Sequence, residues 1–185
     1  MQRPVLIVID MLNDFFVDWN PASRRGLCAS INELVESFRS KALPIIWVRQ
    51  EFEPDLSDAF AEMRTKNLRK TIKGTPGCQI LPELTVHPDD DVVIKKRYSA
   101  FFRTTLDHLL TKQAPDTLVF AGINTHACIR TAVIDAYQRD WPVVIALDCV
   151  DSWDKEHHRV SLQYMDGKLA KGLRNEQIVA GLSYR

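Results

Sequence analysis

The chain has 185 residues, and its 24 Lys plus Arg balance 24 Asp plus Glu; the length suits one domain, residues 1–185, around a single core. Zero formal charge argues against a nucleic-acid partner and against a polybasic membrane patch, and no apolar stretch approaches the roughly 20 residues of a membrane-spanning helix. Residues 1–4 run straight into the first apolar segment, leaving no room for a signal peptide, and Cys28, Cys78, Cys128 and Cys149 contain no C-x-x-C pair, so they read as reduced thiols of a cytoplasmic protein.

Short apolar runs alternate with helical patterns along the chain. Val5 to Ile9 predicts a strand, followed directly by Asp10. A helix is predicted over Pro21 to Ser40, where Leu27, Ile31, Leu34, Val35 and Phe38 recur at helical spacing. Pro44 to Val48 is the second strand, and Asp55 to Arg69 has helical character. Lys73-Gly74-Thr75-Pro76-Gly77 reads as loop. A third strand spans Val92 to Lys95, a helix Phe102 to Thr111, and a fourth strand Thr117 to Ala121. The pattern from Ala127 to Arg139 is helical, Val143 to Leu147 is the fifth strand, and Asp148 and Asp151 follow it. A helix over Lys155 to Ala170 and a short last strand at Ile178-Val179 complete the series. Strands that are apolar throughout, separated by helices, indicate parallel strands covered on both faces. The expected fold is α/β: a doubly wound, mostly parallel sheet of about six strands with helices on both sides.

Ligands of such sheets bind beyond the carboxyl ends of the strands. Asp10, Lys95 and Cys128 all fall there, and they supply a carboxylate, an ammonium and a thiol. Taken singly each has an ordinary explanation: a capping Asp, a Lys whose stem covers apolar surface, a small buried Cys. Taken together they are the parts needed for covalent catalysis. Cys128 stands near a helix start, where peptide dipoles favour the thiolate, and its backbone N–H is a candidate oxyanion donor. A small-molecule substrate is the expected partner.

The segments Leu6-Ile7-Val8-Ile9-Asp10-Met11-Leu12-Asn13-Asp14-Phe15, Val93-Ile94-Lys95-Lys96-Arg97-Tyr98-Ser99-Ala100-Phe101 and Gly122-Ile123-Asn124-Thr125-His126-Ala127-Cys128 resemble the isochorismatase-like cysteine hydrolase superfamily in order and spacing over nearly the whole chain. The resemblance implies an Asp10–Lys95–Cys128 triad. It also decides between Lys95 and Lys96, which strand alternation leaves open if both faces of the third strand are buried. It implies a second oxyanion donor at Asn124, presented by a cis peptide after Ile123, and a homodimer or homotetramer.

The same resemblance exposes departures. Nicotinamidases of the superfamily carry an Asp-x-His-type metal site after the second strand. Here that stretch is Arg49-Gln50-Glu51-Phe52-Glu53-Pro54-Asp55, with carboxylates but no histidine, so no metal or other cofactor is expected, and Glu51, Glu53 and Asp55 read as a solvated loop. Isochorismatases proper lack the cysteine, so Cys128 argues against that chemistry. Leu12 replaces the usual glutamine of the first motif. Phe15, Tyr98, Phe101 and Trp153 are candidate pocket aromatics or ordinary core and interface residues, and His126 either meets substrate or caps the helix. The expected activity is metal-independent hydrolysis of a C–N bond in a small amide, ureide or carbamoyl compound. The alternatives are a thiol redox sensor and a catalytically silent binding module on the same scaffold.

Overall fold

The computed structural model describes residues 1–182. Six strands form one sheet: β1 (Pro4–Ile9), β2 (Ile45–Gln50), β3 (Asp91–Lys95), β4 (Thr117–Ile123), β5 (Val143–Asp151) and β6 (Lys171–Leu173). Their order is β3-β2-β1-β4-β5-β6 and every pairing is parallel. The chain winds outward one way from β1 and the other way from β4. The switch point, where strand order reverses and a crevice opens, therefore lies between these two strands.

Alternation along the strands sorts the core into two layers. Leu6, Val8 and Trp47 face one side, with Ile31, Leu34 and Phe38 of α1 (Pro21–Arg39) and Ile178 of α6 (Asn175–Ala180). Ile7, Ile9, Ile46, Val48 and Val93 face the other. There they meet Leu110 of α3 (Leu106–Gln113), Ala132 and Val133 of α4 (Arg130–Tyr137) and Met165 of α5 (Lys155–Met165). Cys128 belongs to this second layer. α1 starts where Asn20 accepts from the backbone N–H groups of Ala22 (2.9 Å) and Ser23 (3.1 Å), with Pro21 at the first helical position. Among the described residues no helix is long and apolar enough to cross a membrane.

Several boundaries differ from the sequence reading. Of Asp55 to Arg69 only α2 (Ala61–Lys66) is helical. Asp55 Oδ1 accepts from the Ser57 N–H and hydroxyl, and Leu56 sits at φ +61°, a local turn that competes with helix. α3 begins four residues late because Arg103 is left-handed at φ +54°. β5 runs on past Leu147 to Asp151. Its register against β4 passes from Phe120↔Ile145 to Gly122↔Val150 through a bulge, so Asp148 lies within the strand. α5 stops at Met165, before the Gly167 turn at φ +74°. Ile178-Val179 is helix, not strand: α6 buries Ile178 against the first layer. The last strand is instead Lys171–Leu173 on the β5 edge, where three partly exposed residues give no apolar run to read.

Candidate active site

Asp10 ends β1 in a left-handed conformation, φ +57°. Simple alternation would place it with Leu6 and Val8 on the α1 face. The left-handed turn carries its carboxylate across to the layer that holds Cys128. Oδ1 accepts the Gln50 backbone N–H at 2.9 Å, and Oδ2 lies 2.6 Å from Lys95 Nζ. β1 can approach β4 this closely because Gly122, at φ +111°, has no side chain; a Cβ there would stand 2.0 Å from the Ile9 carbonyl oxygen.

Lys95 is fully buried, a position a lysine holds only with compensation. Besides Asp10, its ammonium donates to the Arg97 carbonyl at 3.1 Å and to Cys128 Sγ at 3.5 Å. Burial works against the charge, but the Asp10 carboxylate and the Cys128 sulfur outweigh it and hold the Lys95 pKa above the ordinary lysine value. Lys96 points away and pairs with Asp58 at 2.7 Å. β3 is an edge strand with Val92 47 % exposed. The premise that both its faces are buried is thus corrected, and alternation itself puts Val93 and Lys95 inward and Lys96 outward.

Cys128 lies in a single π turn, Thr125–Ile129, ahead of α4. The Ile129 N–H reaches back five residues to the Asn124 carbonyl at 3.2 Å. The Ile123–Asn124 peptide bond is cis. Asn124 Oδ1 accepts the Trp153 N–H at 3.3 Å, tying the turn to the loop after β5. Cys128 is 6 % exposed. Burial pushes its thiol up to about 12, with Lys95 opposing and Asp10 adding to the rise. Burial thus works against the thiolate that the helix start favours.

The structure thus joins Asp10, Lys95 and Cys128 through one ammonium. Other residues singled out in the sequence have their contacts elsewhere. Phe15 packs against the α1-side layer, away from the layer of Cys128. Tyr98 is 53 % exposed and stacks on Phe60, centroids 5.2 Å apart. His126 Nδ1 lies 3.0 Å from Ser152 Oγ, and its ring meets Trp153 and His157. Phe101 is core, under the Arg139 guanidinium. Leu12 is fully buried and bridges to Ile80. Asp148 anchors α6 through Arg174 and the Asn175 N–H, and Asp151 pairs with Lys155.

Of the acidic residues after β2, Glu51 departs from the expected solvated loop, while Glu53 is partly exposed and Asp55 exposed. Glu51 is buried and pairs with Arg49 at 2.9 Å; Glu53 pairs with Lys73 at 2.9 Å; Asp55 closes its own turn. Among the described residues no three His, Cys, Asp or Glu side chains gather as a metal-ligand set. Sequence reasoning passed over Gln50, whose backbone N–H fixes Asp10, and His158, whose Nδ1 lies 2.9 Å from the hydroxyl of Thr125 in the nucleophile turn. The apolar run of β2 ends at Val48 and is closed by Arg49, so Gln50, one residue further, carried no such signal.

Comparison with known proteins gives the family of the chain. Residues 4–177 match the family model described as the isochorismatase domain. The chain belongs to the isochorismatase-like hydrolase family. It is similar to a probable inactive nicotinamidase of Arabidopsis thaliana, 31% identical over 170 residues, covering 87% of each chain. It is 30% identical over 168 residues to the ureidoacrylate amidohydrolase RutB of Methylorubrum extorquens, covering 78% of this chain and 68% of that one. Among solved structures, an isochorismatase family protein from Desulfovibrio vulgaris superposes with a TM-score of 0.88 at 26% identity, over 97% of this chain and 100% of the other. The six-stranded parallel sheet is thus the family's fold.

Proposed function

We propose that the protein is a metal-independent cysteine amidohydrolase, cleaving a C–N bond of a small amide, ureide or carbamoyl compound through a thioester on Cys128. One observation carries this reading: the buried Lys95 ammonium touches both the Asp10 carboxylate, at 2.6 Å, and the Cys128 sulfur, at 3.5 Å, at the carboxyl ends of the strands beside the switch point. Similarity to a ureidoacrylate amidohydrolase supports the substrate class.

The chemistry follows from these charges. A thiol pushed up to about 12 needs a base at the moment of attack. Asp10 takes the Sγ proton while Lys95 faces the sulfur that gains charge. Sγ bonds to the substrate carbonyl carbon, and the oxyanion is received by the backbone N–H groups of Cys128 and Asn124. Asp10 returns the proton to the nitrogen, the C–N bond breaks and the amine leaves. Water, deprotonated by Asp10, then adds to the thioester; the C–S bond breaks and the thiol is restored.

Cys128→Ala and Asp10→Asn are each expected to abolish turnover on a panel of small amides and ureides. A mass spectrum of wild type with an active substrate is expected to show an acyl or carbamoyl adduct on Cys128. Full activity in either variant refutes the proposal.

A catalytically silent binding protein is the second reading, favoured by the burial of Cys128 and by the inactivity stated in the name of the Arabidopsis relative. No turnover and no adduct across the panel would establish it. A disulfide-cycling sensor has less support. Cys78 is bonded to Thr75 and Cys149 to Asn175, while Cys28 is buried in the α1-side layer, opposite the layer of Cys128.

A further inference from the structure

Gln50 ends β2 in register with Lys95 on β3. Ile46 and Val48 of β2 and Val93 of β3 all belong to the layer that contains Cys128. Counting by twos along both strands puts the Gln50 and Lys95 side chains on that same face. The residue is 6 % exposed, its backbone N–H holds Asp10 Oδ1 at 2.9 Å, and its Nε2 is buried without a hydrogen-bond partner. Nε2 is the end of the carboxamide that is both buried and unpaired.

Buried polar groups are nearly always paired, so each exception calls for a reason. Other unpaired buried atoms sit on side chains that are engaged through a second atom, such as Arg24 on Glu83, Arg49 on Glu51 and Gln113 on Asp91. Gln50 is a carboxamide whose buried Nε2 has no partner, and its backbone N–H holds the Asp10 carboxylate. A carboxamide offers a donor and an acceptor side by side. It is poised for a ligand with the complementary pair.

Sheet order fixes which part of a ligand that is. Cys128 and Asn124 follow β4, on one side of Asp10; Gln50 lies on β2, on the other. With the substrate carbonyl oxygen turned to the β4 donors, the nitrogen has to face Asp10 to receive its proton, and so lies toward β2. We propose that the Gln50 carboxamide is the subsite for the departing nitrogen. Its oxygen takes an N–H of that nitrogen, and its NH2 group donates to an acceptor on the same fragment. The favoured substrates are amides and ureides whose leaving nitrogen bears a hydrogen. This assignment rests on the cysteine amidohydrolase reading and adds the residue that selects amides over esters.

The test compares wild type with Gln50→Leu on an amide and an ester of the same acyl group. Leucine keeps the backbone contact to Asp10 and removes only the carboxamide. The expected result is a loss of roughly ten- to a hundredfold in kcat/KM for the amide with little change for the ester. The melting temperature is expected to stay level or rise, because an unpaired polar group has been removed. Equal losses on both substrates, no loss on either, or a marked fall in melting temperature would each overturn the assignment. A binding measurement separates this inference from the function itself. In 15N-labelled Cys128→Ala protein, the Gln50 side-chain NH2 resonances, identified by their absence in the Gln50→Leu double variant, are expected to shift with N-acetylurea, whose leaving urea carries both N–H and C=O, and not with methyl acetate. No shift refutes the subsite even if amides are hydrolysed; a shift without any turnover by wild type refutes the amidohydrolase reading instead.

Discussion

At the scale of single residues, the site depends on a charge placed where none is comfortable. Lys95 and Asp10 are both buried, and each is the other's main compensation. Breaking such a pair strands one charge and costs about 3–5 kcal/mol, whereas neutralising both partners is often tolerated. Lys95→Met is therefore expected to lose about that much stability in urea unfolding, and Lys95→Met with Asp10→Asn to regain most of it while remaining inactive. A single Lys95→Met variant as stable as wild type would show that the pair is not a stability element at all. Much of this was legible from the chain: the polar residue closing each apolar strand named Asp10 and Lys95, and the thiol after β4 named Cys128. Gln50 stands one residue beyond Arg49, the polar residue that closes the apolar run of β2, and its meaning depends on an unpaired amide that only packing reveals.

At the scale of elements, the close pairing of β1 and β4 at Gly122 sets where Asp10 and the nucleophile turn stand. Gly122 pairs with Ile9, immediately before Asp10, and immediately precedes the Ile123–Asn124 bond. A Cβ at φ +111° would meet main-chain atoms of Ile9 at 2.0 to 2.8 Å. Backbone cannot yield as a flexible side chain does, so the strands must part. Gly122→Ala is expected to lose at least about 3 kcal/mol in denaturant unfolding, in the severe tail for point variants, and to lose activity because Asp10 and the π turn are displaced together. Retained stability would mean the strand pair has more slack than its spacing shows. The apolar runs made β1, β4 and the start of β5 readable, and helical spacing made α1 readable. The bulge that prolongs β5 and the π turn before α4 carry no periodic signal, and the edge strand β6 is too short and too exposed to announce itself.

At the scale of the whole molecule, the buried thiols are expected to make stability fall at alkaline pH. Desolvation foremost pushes Cys28 up to about 11 and Cys128 and Cys149 up to about 12, from an ordinary value of 9.0. Below pH 9 these thiols are protonated in folded and unfolded chains alike, and their contribution is fully present. Between pH 9 and about 11 the unfolded chain releases protons that the native protein still holds. Unfolding is then favoured more with each step in pH, by about 1.4 kcal/mol per thiol per pH unit. Lys95, raised above 10.5, extends the loss in the same direction at higher pH. Urea unfolding under reducing conditions is thus expected to give a stability that is level up to about pH 9 and falls steeply by pH 10. Cys149→Ala lowers the starting value, since Cys149 is fully buried and donates to Asn175, but it removes one of the three titrating groups. Its curve should fall about a third less steeply over the same interval, and a slope equal to that of wild type would show that the buried thiols are not the cause.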